Sequence, residues 1–303
     1  MSEPPMKIFE DPLYKPSLDE RFYSLTDDEY VFFKAQTGIE DEAALKQHII
    51  SVQKKAYELY GYPCIRSFSF TRLKISRMPA YDSVLKISRE LKDAIILDIG
   101  CCFGNDLRKA VADGWPAQNA IASDLRQGFW ELGHELFKSN SETFPAAFVA
   151  GDAFDPAFIT PRAPFYDKPE SPCPPLATLT SLVPLQGHIS AIHASSLFHL
   201  FDEKQQLELA RRLASLLSPI PGSTIFGTQG GSPEKQWIYE EAENHEKTPY
   251  KMFCHSPESW AELWDGQVFE KGSIRVDAGV KKVQRPDLGY KEIFMLWWTI
   301  TRK

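Results

Sequence analysis

The spacing of apolar positions changes character near residue 94. Before it, the period is helical. Thr26 with Glu29 three residues on is a capping-box signature, so a helix is expected to start at Thr26. Leu45, Ile49, Val52, Ala56 and Leu59 alternate four- and three-residue steps, which places them on one face of a helix over roughly 41–60. Gly61 and Pro63 end that helix. A further helix near 80–91 is expected to turn Val84, Leu85 and Leu91 inward. The first seventeen residues carry four prolines and read as an extended arm.

From residue 94 short apolar runs alternate with amphipathic stretches. "AIILDI", "NAIASD", "AAFVAGD", "HISAIHAS" and "GSTIFGTQ" read as strands. "NDLRKAVADG", "RQGFWELGHELFK", "DEKQQLELARRLASLL" and "SPESWAELWD" read as helices. This interleaving predicts a doubly wound α/β fold with a mostly parallel sheet and right-handed crossovers. "QVFEKGSIRVDAGV" and "YKEIFMLWWTI" leave no room for a helix between them, so they should pair as an antiparallel C-terminal hairpin at the sheet edge and bring the sheet to seven strands. The expected organisation is an arm (1–17), N-terminal helices packing on the core and covering the site (18–92), and the sheet domain (93–303). Two insertions, 155–187 and 230–255, lie near carboxyl ends of strands, where ligands bind in open α/β sheets.

Composition narrows the function. A 43% apolar content supports a sizeable core, and the net charge of −7 argues against a nucleic-acid partner. The N-terminus lacks the apolar core of a signal peptide, and no apolar run is long enough to span a membrane, so a cytoplasmic protein is expected. Five cysteines, an odd number with no C-x-x-C pair, fit free thiols in a reducing compartment. The adjacent Cys101 and Cys102 point in different directions, so no metal site is expected, and both read as buried small side chains.

The candidate chemistry starts at "LDIGCCFGND". Asp98, Gly100, Cys102 and Gly104 lie between a strand and a helix. A dinucleotide loop would need glycine at 100, 102 and 105, and a phosphate loop would need G-K-[ST]; both are absent. S-adenosylmethionine, which has no phosphate, fits better. Gly100 permits a sharp turn and close approach to the ligand. The helix start near Asn105 offers unpaired N–H groups, and Asp98 is placed to receive the methionine ammonium. Asp124 ends the second strand 26 residues later and is suited to both ribose hydroxyls, with Leu125 on the adenine face. Asp152 ends the third strand as a candidate for the adenine amino group, with the Ala153 N–H and the Phe154 ring nearby. One acid at the end of each of three successive strands is a specific pattern, although each alone could be a turn residue.

These residues resemble those of class I S-adenosylmethionine-dependent methyltransferases, over about 94–229. "LDIGCCFGNDLRKAVADG", "IASDL", "GFWELGHELFK", "GDAFDP", "SAIHASSLFHLF" and "MFCHSPESWAELW" are similar to the fungal methyltransferases of meroterpenoid biosynthesis, which methylate a carboxyl group of a polyketide-terpenoid intermediate. The resemblance reaches over nearly all of the chain. It implies the Rossmann-like methyltransferase fold, cofactor contacts at Asp124, Leu125, Asp152 and Ala153, a hydrophobic small-molecule carboxylic acid as substrate, and a homodimer. Cys102 departs from the family pattern, where a glycine usually stands.

A carboxylic acid, with a pKa of roughly 4, is already ionised and needs only an anchor, whereas a phenol near about 10 gains from a base. His193 and His199 are the candidate catalytic residues. Each could equally be structural, and His199, favoured of the two, could orient an acid as a donor. Arg66, Arg72 and Arg77 lie among Tyr62, Phe68, Phe70 and Tyr81. Tyr62, Arg66, Arg77 and Trp237 are the candidate substrate residues, an arginine clamping a carboxylate; the alternative is a solvated basic face. Tyr14, Phe165, Tyr166 and Tyr239 are further pocket or packing candidates. The terminal "FMLWWTI" reads as a buried edge or a dimer seam. The competing functions are a phenol O-methyltransferase, a nucleotide-dependent oxidoreductase and a non-catalytic cofactor-binding regulator.

Overall fold

The computed structural model describes residues 15–241, 247–285 and 291–303. Most of the expected arm, Tyr14 included, lies outside the described residues. Helices α1 (Asp27–Thr37), α2 (Glu42–Leu59), α3 (Pro63–Arg66) and α4 (Tyr81–Glu90) precede the sheet. There follow β1 (Ile96–Ile99), α5 (Asn105–Ala112), β2 (Ala120–Asp124), α6 (Gln127–Leu136), β3 (Ala147–Ala150), β4 (Ala191–His193), α7 (Glu203–Leu216) and β5 (Thr224–Gly230). The chain ends with β6 (Gln236–Glu241), β7 (Lys247–Cys254), α8 (Pro257–Trp264), β8 (Ile274–Arg285) and β9 (Lys291–Arg302).

The seven-stranded sheet has the order β3-β2-β1-β4-β5-β9-β8. The first five strands are parallel, and β9 runs antiparallel to both β5 and β8. The C-terminal hairpin therefore forms as expected, but β8 and not β9 is the edge. That placement sets "FMLWWTI" inside the sheet: Leu296, Trp298, Thr299 and Ile300 are buried, Trp298 against Trp260 and Phe198, while Phe294, Met295 and Trp297 stay half-buried. Strand β8 starts only at Ile274, because residues 265–269 close a bridge of their own. The insertion at 230–255 carries a separate hairpin, β6–β7.

The core follows the alternation of side chains across the sheet. Leu97 and Ile99 of β1 join Ile192 and Ile225 on one face, while Ile96 joins Ala120 and Phe226 on the other. A third cluster packs Phe33, Ile49, Val52 and Ala56 of the N-terminal helices on Phe129 and Phe137 of the α6 region. Two inward expectations fail. Leu59 is 43% exposed and Leu91 37% exposed, because each sits at the terminus of its helix, where the buried face has rotated past its partner layer. Tyr57 and Ile50 are buried instead.

The capping glutamate of α1 has a second set of partners. Glu29 accepts the Thr26 N–H at 3.0 Å, yet its side chain is fully buried and also receives Arg72 Nη1 at 2.6 Å and Arg77 Nη2 at 2.7 Å. Two arginines on one buried carboxylate fix the 69–79 segment against α1. That segment forms a wall over the carboxyl ends of β1 and β4, the point where the strand order reverses.

Candidate functional site

A cavity of about 680 Å³ opens at this switch point. Its floor is the loop after β1. Gly100 turns with φ 71°, and the N–H groups of Gly100 and Cys101 donate to the Ser123 carbonyl at 2.8 and 3.1 Å. A Cβ at Gly100 would stand 3.1 Å from Leu197, so the missing side chain keeps this approach open. Cys102, where a glycine was expected, adopts φ 51°. A side chain in that left-handed region costs on the order of 1–2 kcal/mol, and packing of Cys102 against the N-terminal cluster offsets it. Burial pushes the Cys101 and Cys102 thiols well up, which favours the protonated form of each. Among the described residues no group of side chains has metal-binding geometry.

Asp124 locks the loop. Its Oδ2 accepts the Cys102 N–H at 2.9 Å and its Oδ1 the Arg126 N–H at 3.0 Å. Burial raises its pKa in spite of those bonds. Each oxygen keeps lone-pair capacity for a further donor. Leu125 beside it is 57% exposed and lines the cavity.

Asp98 does not stand alone. Parallel pairing of β1 with β4 sets Asp98 opposite His193, and Asp98 Oδ1 meets His193 Nδ1 at 2.8 Å. His193 Nε2 in turn meets Ser195 Oγ at 2.7 Å. Burial alone would lower the His193 pKa, but the charge and hydrogen bond of Asp98, with Asp106 beyond it, outweigh burial and raise it; Lys74 opposes them.

His199 is in a different state. Its Nδ1 accepts the Gly230 N–H at 3.1 Å, which leaves the proton on Nε2. Burial, aided by the Lys74 and Arg285 charges, lowers its pKa to about 4. At neutral pH it is a neutral donor with no free lone pair. It can orient an acceptor but cannot remove a proton.

The structure brings Tyr62, Arg77, Asp98, Gly100, Cys102, Asp124, Leu125, His193 and His199 to one cavity. Gly104 caps α5 from beneath with φ 70°. Arg77 reaches the wall, but its guanidinium is committed to Asp28 and Glu29. Five expected site residues lie elsewhere. Arg66 turns away to the Ser17 carbonyl at 3.1 Å and the Phe22 ring. Asp152 is exposed, and its Oδ1 accepts the Phe154 N–H at 2.8 Å in a local turn. Ala153 packs on the sheet core, and Phe154 backs Phe201 edge-on at 4.9 Å, so only Phe201 reaches the cavity. Trp237 lies on β6, edge-on to Phe253, in a separate open cleft with His255. Phe165 and Tyr166 tie the 155–187 insertion to Arg302 and Glu270 instead of lining the cavity.

Sequence reasoning missed Lys74 and Ser195. Lys74 lines the cavity, and its Nζ donates to Ser196 Oγ at 3.3 Å. Unlike Arg72 and Arg77, it makes no ion pair among the described residues. The basic segment was visible in the sequence. Which of its cations were already neutralised was not, because Glu29 lies more than forty residues away.

The histidines also predict acid sensitivity. His199 and His255 both titrate at about 4 in the folded chain, against roughly 6.5 when unfolded. Their contribution is complete above pH ~6.5 and is lost as pH falls towards 4, by about 1.4 kcal/mol per pH unit for each. Urea midpoints should drop between pH 7 and 4.5, and less so in His255→Gln; midpoints independent of pH would contradict the burial argument.

A family model described as "Meroterpenoid methyltransferase N-terminal domain" matches residues 13–71. The O-methyltransferase phiE of a fungal species (strain ATCC 74256) is 34% identical over 228 residues, covering 74% of this chain and 66% of that relative. The asnovolin E/chermesin D methyltransferase nvfJ of Aspergillus novofumigatus is 31% identical over 236 residues, covering 78% of this chain and 72% of that relative. The chain spans between 48% and 75% of the length of the curated relatives it matches. Among solved structures, a Burkholderia thailandensis 1,6-didemethyltoxoflavin-N1-methyltransferase aligns over 73% of this chain and 76% of its own, with 14% identity and a TM-score of 0.43.

Proposed function

This chain belongs to the methyltransferase family of these fungal enzymes, and from that premise we propose that it moves a methyl group from S-adenosylmethionine to an oxygen of a small apolar metabolite, a carboxylate oxygen by preference. The residues of the cavity fit the cofactor. Asp124 keeps lone pairs free for the two ribose hydroxyls, Leu125 offers an apolar face, and Gly100 leaves space beside Leu197 where a Cβ would intrude. When bound, the cofactor supplies an electrophilic methyl carbon on a sulfonium. The chain's own residues then have to hold the acceptor oxygen in line with that carbon, which is the main source of rate in such displacements.

The observation that carries the carboxylate reading is the pairing of Lys74 with His199. A cation with no acidic partner among the described residues and a neutral N–H donor line the same cavity. Together they suit an acceptor that arrives as an anion and needs no base. Phe70, Phe129, Met252 and Met295 supply the apolar surround. One arrangement favours a hydroxyl acceptor as a second reading: the chain Asp98–His193–Ser195 could take up the proton such an acceptor releases.

Lys74→Met tests the reading. It removes the charge and keeps an apolar stem. KM for a carboxylic acid acceptor should rise about ten- to a hundredfold, the range for a lost hydrogen bond to a charged group, with affinity for S-adenosylhomocysteine unchanged. An unchanged KM would remove Lys74 from the acceptor site and favour the hydroxyl reading.

A further inference from the structure

We propose that Ser195 is the group that sorts acceptors in this cavity, and that the buried Asp98–His193 pair does the sorting by setting which way the Ser195 hydroxyl points. The inference rests on the reading of the cavity as the acceptor site.

The geometry allows two arrangements. His193 and Asp98 are almost wholly buried, with side chains 1% and 4% exposed, so solvent does not compete for their hydrogen bonds. Asp98 accepts from His193 Nδ1–H in either state. If His193 is charged, its Nε2–H donates to Ser195 Oγ, and the hydroxyl proton of Ser195 is turned towards the cavity. If His193 is neutral, Nε2 accepts the Ser195 hydroxyl proton, and only oxygen lone pairs face the cavity. The first arrangement attracts a carboxylate. The second repels it and suits the O–H of an alcohol or phenol.

The backbone fixes Ser195 in this role. Ser196 adopts φ 56°, an uncommon conformation for a residue with a side chain, and its N–H is held by the Thr228 carbonyl at 2.6 Å. This turn directs Ser195 back over His193 while Ser196 Oγ meets Lys74. The charges around His193 come from every packed element. Asp98 is on β1, Asp106 on α5 and Lys74 on the covering segment, while β5 contributes the Phe226 ring at 5.3 Å. The two carboxylates outweigh the lysine, so His193 holds its proton to higher pH than an ordinary histidine. The charged arrangement, with Ser195 as donor, thus persists to higher pH than it would around an ordinary histidine.

Binding titrations with 9-anthracenecarboxylate and 9-anthracenemethanol as fluorescent probes test this without turnover. The carboxylate stays ionised from pH 6 to 10. Its affinity for the intact chain should fall about tenfold or more as pH rises through the His193 titration, on the scale of one lost hydrogen bond to a charged group; that of the alcohol should hold or improve. In Ser195→Ala, carboxylate affinity at pH 6 should drop by a similar factor and its pH dependence through that step should vanish. Ser195→Thr should restore both. Nitrogen NMR of the His193 ring should report the same titration in wild type and Ser195→Ala. Ser195→Ala that retained the wild-type pH dependence, or a His193 ring already neutral at pH 6, would overturn the proposal. A pH-dependent probe site in a chain that methylates nothing would count instead against the methyl-transfer reading.

Discussion

Gly227→Ala is expected to leave little folded protein. A Cβ at Gly227 would fall far inside van der Waals contact distance of the Ala194 carbonyl oxygen, with the Trp298 ring 3.1 Å away. Both neighbours are fully buried, and the nearer is backbone, so no rotamer change relieves the overlap. The cost should exceed the roughly 3 kcal/mol of an ordinary severe core substitution, a large part of the ~5–15 kcal/mol that holds a domain together. The consequence reaches the site. The chain leaving β4 runs close beside β5 at this glycine, and that approach places Ser195 and the bond from the Ser196 N–H to the Thr228 carbonyl. Soluble yield and urea unfolding followed by circular dichroism give the check; a Gly227→Ala chain with wild-type stability would contradict the close approach of Gly227 to Ala194.

Asp124→Ala should have the largest effect on ligand binding. It removes the proposed acceptor of the ribose hydroxyls, worth on the order of 1.5–3 kcal/mol, or about ten- to more than a hundredfold in affinity. It also releases the N–H groups of Cys102 and Arg126, so the loop that shapes the cavity floor loses its anchor. Asp124→Asn should rescue only in part, because an amide can present an oxygen to one of those N–H groups but not to both. Calorimetry with S-adenosylhomocysteine measures the loss, and unchanged affinity in Asp124→Ala would remove Asp124 from the cofactor site.

Much of this arrangement was legible in the sequence. The alternation of short apolar runs with amphipathic helices gave the parallel sheet, and the missing helix between the last two strands gave the antiparallel hairpin. The loop from Asp98 to Gly104 and the acid ending β2 were visible because glycine and aspartate have few other reasons to recur at that spacing. Features that depend on distant partners were not visible. Arg72 and Arg77 looked like substrate clamps, but Glu29 and Asp28 together neutralise them. His199 looked like a possible base, but its tautomer is set by a backbone N–H 31 residues away. Ser195 gains its role only because the β1–β4 register puts Asp98 against His193. Asp152 and Asp124 both accept the N–H two residues on, the local turn role of a strand-end acid, but only Asp124 also lines the cavity. The β6–β7 hairpin was read simply as an insertion, since its charged residues obscure the strand period.

The most direct test of the account is methyl transfer itself. The chain, incubated with methyl-labelled S-adenosylmethionine and a panel of apolar carboxylic acids and phenols, should label a carboxylic acid, and mild alkali should release that label as methanol. Label that survives alkali as an ether, or no transfer to any acceptor by a chain that binds S-adenosylhomocysteine, would contradict it.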